Sequence, residues 1–143
     1  MFSPDITVEK LNLLSRGCLV EHLDIVFTEV GPDYLKARMP VDHRTQQPHG
    51  LLHGGASVAL AETLGSVGAT ACIDRERYIV AGQEINANHI RGAKQGMVYG
   101  TAMPIHTGRT SHVWEIKITD DLGNLVCISR MTVAILEKKK TKE

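Results

Sequence analysis

The stretch "HGGASVALAETLGS", His53 to Ser66, carries one charged residue, Glu62, inside a run that is otherwise small and apolar from Gly54 to Ile73. If a helix begins near Gly54, Glu62 and Ser66 lie one turn apart on the same face. An ionised carboxylate in an apolar wall is costly unless it is paired or protonated. Two readings therefore stand: a structural glutamate tied to a cation from elsewhere in the fold, or a functional carboxylate. No Lys or Arg within the segment pairs with it locally. At the other end, Gly54 and Gly55 offer unobstructed N–H groups at a helix N-terminus, where partial positive charge favours an oxyanion. A tight turn that needs glycine for its dihedrals alone explains the same pair. A carboxylate together with an oxyanion site is what acyl transfer requires. One binds the carbonyl oxygen, while the other attacks the carbonyl carbon or activates water to do so.

Spacing then constrains how the two halves can meet. Gly54 and Glu62 are eight residues apart, about 12 Å along one helix axis, whereas reacting groups must sit about 3 Å from one carbonyl. One helix cannot readily supply both halves of one site. A second copy of the chain can, with its helix N-terminus facing this Glu62, so the expected assembly is a homodimer with two composite sites.

Other polar residues add to the candidates, each with a plainer alternative. His53, before the glycines, either orients a substrate carbonyl or closes the turn. Gln47, in a polar loop, carries both donor and acceptor for a carbonyl or water, or is simply solvated. His89 ends a strand-like run and either reaches the site mouth or sits on an edge. His43, His49 and His53 read H-x5-H-x3-H across a Pro/Gly loop, which matches no zinc spacing, so no metal is expected. There is no G-x-S-x-G elbow and no Gly-rich phosphate loop. The phosphates of a nucleotide-bearing substrate would rest on "HIRGAK" and "HTGRTSH", through Arg91, Arg109, Thr110 and Ser111, unless these are merely solvated.

The elements that must position these residues follow from periodicity. "TVEKLNLLSR" has apolar residues at helical spacing behind a possible Thr7 cap. "LDIVFTEV", "GPD" and "YLKARMPV" read as strand, turn, strand, with Leu35, Ala37, Met39 and Val41 on the inner face. "DHRTQQPHG" is a loop, and the small-residue helix runs to about Ile73. Four strand-like runs follow, Tyr78 to His89, Met97 to Ile105, His112 to Thr119 and Leu125 to Leu136, separated by Gly-containing stretches. One buried helix followed by a four-stranded meander implies an α+β domain, an antiparallel sheet around a central helix.

Bulk properties fit one domain over all 143 residues, with 16 basic and 16 acidic side chains and a near-neutral balance. Nothing global points to nucleic acid or an acidic membrane surface as a partner. The basic stretch at 137–143 reads as a solvated tail. The N-terminus shows no basic region followed by an apolar one, so no secretory signal is expected. The apolar helix carries a charge and four glycines and lacks aromatic anchors, which favours burial over a membrane span. Cys18, Cys72 and Cys127 are odd in number and sit among apolar neighbours, as reduced core residues of a cytoplasmic protein would.

The stretches "QPHGLLHGGASVALAETLGS", "GQEINANHIR" and "HTGRTSHVWEIKI" resemble the hotdog-fold acyl-CoA thioesterases. Within them, the likeness is to the 1,4-dihydroxy-2-naphthoyl-CoA hydrolases and the related enterobactin-pathway proofreading thioesterases, from about Leu23 to Leu136. The resemblance implies the hotdog fold, a long helix wrapped by a curved antiparallel sheet, assembled as a dimer of dimers. It implies that Glu62 is the catalytic carboxylate, nucleophile or general base. It makes Gly54 the backbone donor to the thioester carbonyl, assisted by His53 and Gln47, with Gly55 beside it. Ser66 would place the attacking water, and His89 would stand near the acyl ring. Gly82, the segment His89, Ile90, Arg91 and Gly92, and the segment His106, Thr107, Gly108, Arg109, Thr110 and Ser111 match positions that hold coenzyme A. No cofactor is implied, coenzyme A being part of the substrate. The expected activity is hydrolysis of an aromatic acyl-CoA, 1,4-dihydroxy-2-naphthoyl-CoA of menaquinone biosynthesis first. The alternative is a broad or proofreading thioesterase acting on acyl-CoA or acyl carrier protein. A non-catalytic acyl-CoA-binding protein would be expected beside a DNA-binding segment, and no helix-turn-helix is seen. A dehydratase would need a His beside the helix carboxylate, and His53 lies too far along the same helix.

Overall fold

In a computed structural model, which describes residues 2–139, two short helices precede the main body: α1 (Val8–Leu14) and α2 (Leu19–His22). Then come β1 (Val26–Val30), β2 (Leu35–Pro40), the long helix α3 (Gly54–Ala71), β3 (Tyr78–His89), β4 (Met97–Thr107), β5 (Ser111–Thr119) and β6 (Leu125–Glu137). Thr7 caps α1 by accepting from the Lys10 N–H at 3.3 Å, as the sequence suggests. Asn12 fastens α1 to β1: its side chain donates to the Phe27 carbonyl at 3.0 Å and accepts from the Phe27 N–H at 2.8 Å.

The six strands form one antiparallel sheet in the order β1-β2-β4-β5-β6-β3. This corrects the expectation of a four-stranded meander. Only β4, β5 and β6 follow one another, whereas β3 pairs with β6 and the Arg91–Gly96 stretch is a crossover to the far side of the sheet. Strand alternation records which face is buried and carries no label for the partner, so a glycine-bearing connector looks alike in a hairpin and in a crossover. The correction matters, because it leaves β3, twelve residues long, at the sheet edge.

The concave face of the sheet closes over α3. Ser57, Leu60, Ala61, Leu64, Gly65, Gly68 and Ala71 form the buried stripe of that helix, at spacings of three and four. A Cβ on Gly68 would stand 2.8 Å from the Trp114 ring, so the absence of a side chain there lets helix and sheet close-pack. Leu35, Ala37, Met39, Val98, Ala102, Trp114, Ile116, Ile118 and Val133 complete the core, all fully buried. The opposite stripe of α3, from Val58 through Glu62 to Ser66, is not covered by the sheet.

Two further expectations are revised. Cys127 is buried and Cys72 half-buried, but Cys18 is exposed in the turn that starts α2. Its apolar neighbours in sequence belong to a surface helix. The basic tail is in part structural: Glu137 ends β6, and Lys138 donates from its backbone N–H to the Arg77 carbonyl at 2.8 Å and from Nζ to the Arg75 carbonyl at 2.6 Å. The remainder of that tail, 140–143, lies outside the described residues. Among the described residues no helix is long and apolar enough to cross a membrane.

Candidate active site

The loop before α3 is built to present its side chains. Thr45, 2 % exposed, donates from Oγ1 to the Pro40 carbonyl at 2.7 Å and accepts from the Asp42 N–H at 3.1 Å. Its carbonyl accepts from the His53 N–H at 2.8 Å, which ties the loop to the helix start. Arg44 hydrogen-bonds Asp42 and holds its carboxyl down at about 2. Gly50 turns the chain at φ +79°, and the Gln47 N–H reaches the Leu51 carbonyl at 2.8 Å. Gln47 Oε1 accepts from the His49 N–H, so the amide NH2 is the group left as a donor.

Helix α3 begins at Gly54, where the spacing places it, with His53 as its N-cap. His53 Nδ1 accepts from the Gly55 N–H at 2.8 Å. A neutral ring then carries its proton on Nε2, which is free to donate. Ala56 and Ser57 send their N–H groups to the His53 carbonyl at 3.0 and 3.2 Å, while the Gly54 N–H has no acceptor among the described residues. His53 thus closes the turn through one nitrogen and keeps the other available. Of the two glycines, Gly54 is the free donor and Gly55 the capped one. His89 stands over this point, since a Cβ on Gly54 would lie 2.8 Å from its Nε2. Gln47, Gly54, His89, Ile90, Arg91 and Gly92 line one cleft of about 250 Å³.

Glu62 belongs to a different place. It projects from the uncovered stripe of α3 into a cleft of about 380 Å³, lined also by Leu19, Gly55, Val58, Ala59, Thr63 and Ser66. It is exposed rather than sunk in an apolar wall, and none of the ion pairs among the described residues involves it. Among the described residues, then, no cation of its own fold holds this glutamate. Gly82 on β3 backs the carboxylate: a Cβ there would stand 3.2 Å from Glu62 Oε1. An apolar chamber of about 280 Å³ adjoins this cleft between α1, α2 and α3, with Leu11, Leu14, Val20, Phe27 and Val67 in its wall. Thr63 and Ser66 line both spaces. The wall is chiefly aliphatic, as the scarcity of aromatic residues leads one to expect.

The third group lies apart again. Thr107, Gly108 and Arg109, in the β4–β5 hairpin, line a cavity of about 330 Å³ at the C-terminal end of α3, with Cys72, Asp74, Tyr78 and His112. Ser111 is paired with Ala134 and His89 with Cys127, so the two segments stand about 23 Å apart along β6. The single chain thus brings Gln47, His53, Gly54 and His89–Gly92 together, and separately Glu62, Ser66 and Gly82. It leaves the segment His106–Ser111 at the far end.

Two residues escaped sequence reasoning. His112 is 3 % exposed with no partner for Nδ1. Burial first, then His106, pushes its pKa below the ordinary histidine value, opposed by a hydrogen bond to the Gly108 backbone. Its alternation with Trp114 and Ile116 was the available signal. Met131, 1 % exposed, lies under Ser66 and Gly82, and nothing in its sequence neighbourhood marks it. Among the described residues no cluster of His, Cys, Asp or Glu could hold a metal ion.

Comparison with known proteins places this geometry. The sequence model of the Thioesterase superfamily matches residues 49–127. The chain is 53 % identical over 131 residues to 1,4-dihydroxy-2-naphthoyl-CoA hydrolase of Escherichia coli K12, covering 92 % of this chain and 96 % of that one. It is 54 % identical over 131 residues to the proofreading thioesterase EntH of Cronobacter sakazakii, covering 92 % and 95 %. A crystal structure of a mutant of thioesterase PA1618 from Pseudomonas aeruginosa superposes with a TM-score of 0.94 at 44 % identity, covering 96 % of this chain and 99 % of that one. With a family match over more than half its length and relatives this similar along nearly all of it, the chain belongs to the thioesterase superfamily and is a thioester hydrolase of the hotdog fold.

Proposed function

We propose that the protein hydrolyses an aromatic acyl-CoA, 1,4-dihydroxy-2-naphthoyl-CoA foremost, at two composite sites of a homodimer. The observation that carries this reading is the separation of two complementary half-sites on one helix. A Glu62 that pairs with no cation among the described residues faces an open cleft, and a Gly54 N–H with no acceptor among them lies eight residues away, about 12 Å along the axis. Neither half can reach the other's carbonyl within one protomer.

The free edge of β3 supplies the means of assembly. A long unpaired edge is a ready template for a second strand. Antiparallel pairing of β3 with its own copy, about a twofold axis between Ile85 and Asn86, would set Gly82 of one protomer opposite His89 of the other. Glu62 would then face its partner's Gly54. Tyr99 and Met103, exposed on the outer face of β4, support a second interface and so a dimer of dimers.

In such a site the Gly54 N–H, the His53 Nε2–H and the Gln47 amide donate to the thioester oxygen, where charge develops in the transition state. Glu62 either attacks the carbonyl carbon, expelling the thiolate to leave an anhydride that water opens, or takes a proton from water as that water attacks. Ser66, one turn along, positions the water. The aroyl group enters the chamber behind Thr63 and Ser66, while His89–Gly92 and His106–Ser111 receive the coenzyme A portion. A proofreading role on aroyl groups carried by acyl carrier protein is the second reading, favoured by the equal likeness to EntH and to the naphthoyl-CoA hydrolase. We place the activity in the cytoplasm, with the soluble acyl-CoA pool. Steady-state kcat/KM for thiol release from aromatic and aliphatic acyl-CoAs and from an aroyl carrier protein tests the proposal. A naphthoyl-CoA preference is expected, and a preference for long fatty acyl-CoA would overturn the substrate assignment.

A further inference from the structure

We infer that Met131 is a positioning residue for hydrolysis: its thioether holds the Ser66 hydroxyl in its working orientation and backs the wall behind Glu62. The inference rests on the function proposed above, since it assumes that Glu62 and Ser66 act together.

Met131 projects from the middle of β6, between Ile85 of β3 and Trp114 of β5, and is 1 % exposed. Its side chain meets Gly65 and Ser66 of α3 and lies beside Gly82 of β3. A Cβ on Gly65 would stand 2.8 Å from Met131 Sδ, so that glycine lets the sulfur in beneath the helix backbone one residue before Ser66. Ser66 Oγ lies 4.0 Å from the same sulfur, a long contact along which its hydroxyl can point. A Cβ on Gly82 would stand 3.2 Å from Met131 Cε and 3.2 Å from Glu62 Oε1, so the methyl group and the carboxylate flank one small gap.

The two threonines of α3 show why the sulfur matters. Thr63 donates to the Ala59 carbonyl at 2.7 Å, and Thr70 to the Ser66 carbonyl at 2.8 Å. Each takes the bond to the carbonyl four residues back that helical Ser and Thr commonly adopt. Ser66 does not. With its proton directed at Met131, as inferred, the oxygen lone pairs would be left to the cleft as acceptors for a water proton. A hydrocarbon side chain in place of Met131 offers no acceptor, and the hydroxyl would turn to the Glu62 carbonyl, as Thr63 and Thr70 do to theirs.

The test is a cycle of Met131→Leu and Ser66→Ala, with thiol release read as kcat and KM separately and thermal melting as a control. Leu conserves volume, so the fold and Tm should change little; Met131→Ile, which also lacks the sulfur, carries the same test should Leu perturb folding. We expect kcat to fall about 3- to 10-fold at unchanged KM in the Ser66 background and not to fall further in Ser66→Ala, since the two act through one contact. Equal effects of Met131→Leu in both backgrounds, or none in either, would overturn the inference. Glu62→Gln is run alongside. If it keeps full activity, the function proposed above fails on its own account. If it is inactive while Met131→Leu matches the parent, only the role of Met131 falls.

Discussion

Gly82→Ala separates a supporting wall from a ligand contact. Gly82 is not among the glycines at positive φ, so alanine fits its backbone. Removing a strand glycine should leave stability unchanged or raise it by up to about 1 kcal/mol. The added methyl would sit 3.2 Å from both Glu62 Oε1 and Met131 Cε, a few tenths of an ångström inside ordinary contact. Met131 is enclosed and Glu62 is not, so the carboxylate is the group that yields. A misplacement of about 1 Å costs about 100-fold in rate, so a shift of a third to a half of that scales to about 5- to 10-fold in kcat. The assay is thiol release from naphthoyl-CoA with kcat and KM resolved, beside a melting curve. A lower kcat at unchanged KM and an unchanged or higher Tm is expected. A raised KM at unchanged kcat would instead make Gly82 a coenzyme A contact, as the family resemblance implies, and would refute the supporting role.

Other outcomes follow from the same geometry. Glu62→Gln keeps shape and removes charge, and should lower kcat by about 100-fold or more, whereas Ser66→Ala should cost less because the reactive group remains; both are read by thiol release. Thr45→Val removes the buried hydroxyl that bonds the Pro40 carbonyl and the Asp42 N–H. A loss of about 1–3 kcal/mol is expected by urea unfolding. His112 has a lowered pKa in the fold, so the unfolded chain binds its proton first. Its stabilisation is complete above the unfolded value of about 6.5 and is lost as pH falls from there through the folded value. Melting between pH 7 and 5 should show Tm falling with pH, and His112→Gln should flatten that slope.

Much of the fold was legible because the relevant signals are local. The Gly54 start of α3, the Thr7 cap and the inward set Leu35, Ala37 and Met39 all follow from spacing and side-chain type. The sheet order was not, because the alternation along β3 states a buried face and not a neighbour. Glu62 is the instructive case. The small residues on both sides of α3 read as burial, yet the sheet covers one stripe only, and the open stripe is the one that holds the carboxylate. Cys18 misled for a related reason, since apolar neighbours in sequence are not neighbours in space. Met131 carried no signal because its role comes from contacts made across strands, and His112 carried only its alternation with Trp114 and Ile116.

Subunit complementation tests the composite site most directly. Glu62→Gln removes the carboxylate half, and a double substitution of Gln47→Ala and His53→Ala weakens the donor half, so either homodimer should be nearly inactive. Differently tagged chains, co-expressed and purified as heterodimers, would hold one site with both lesions and one with none. Heterodimers are therefore expected to regain about half of the parental activity per dimer. Activity that stays at the level of the two inactive homodimers, with heterodimers demonstrably formed, would contradict a site shared between protomers.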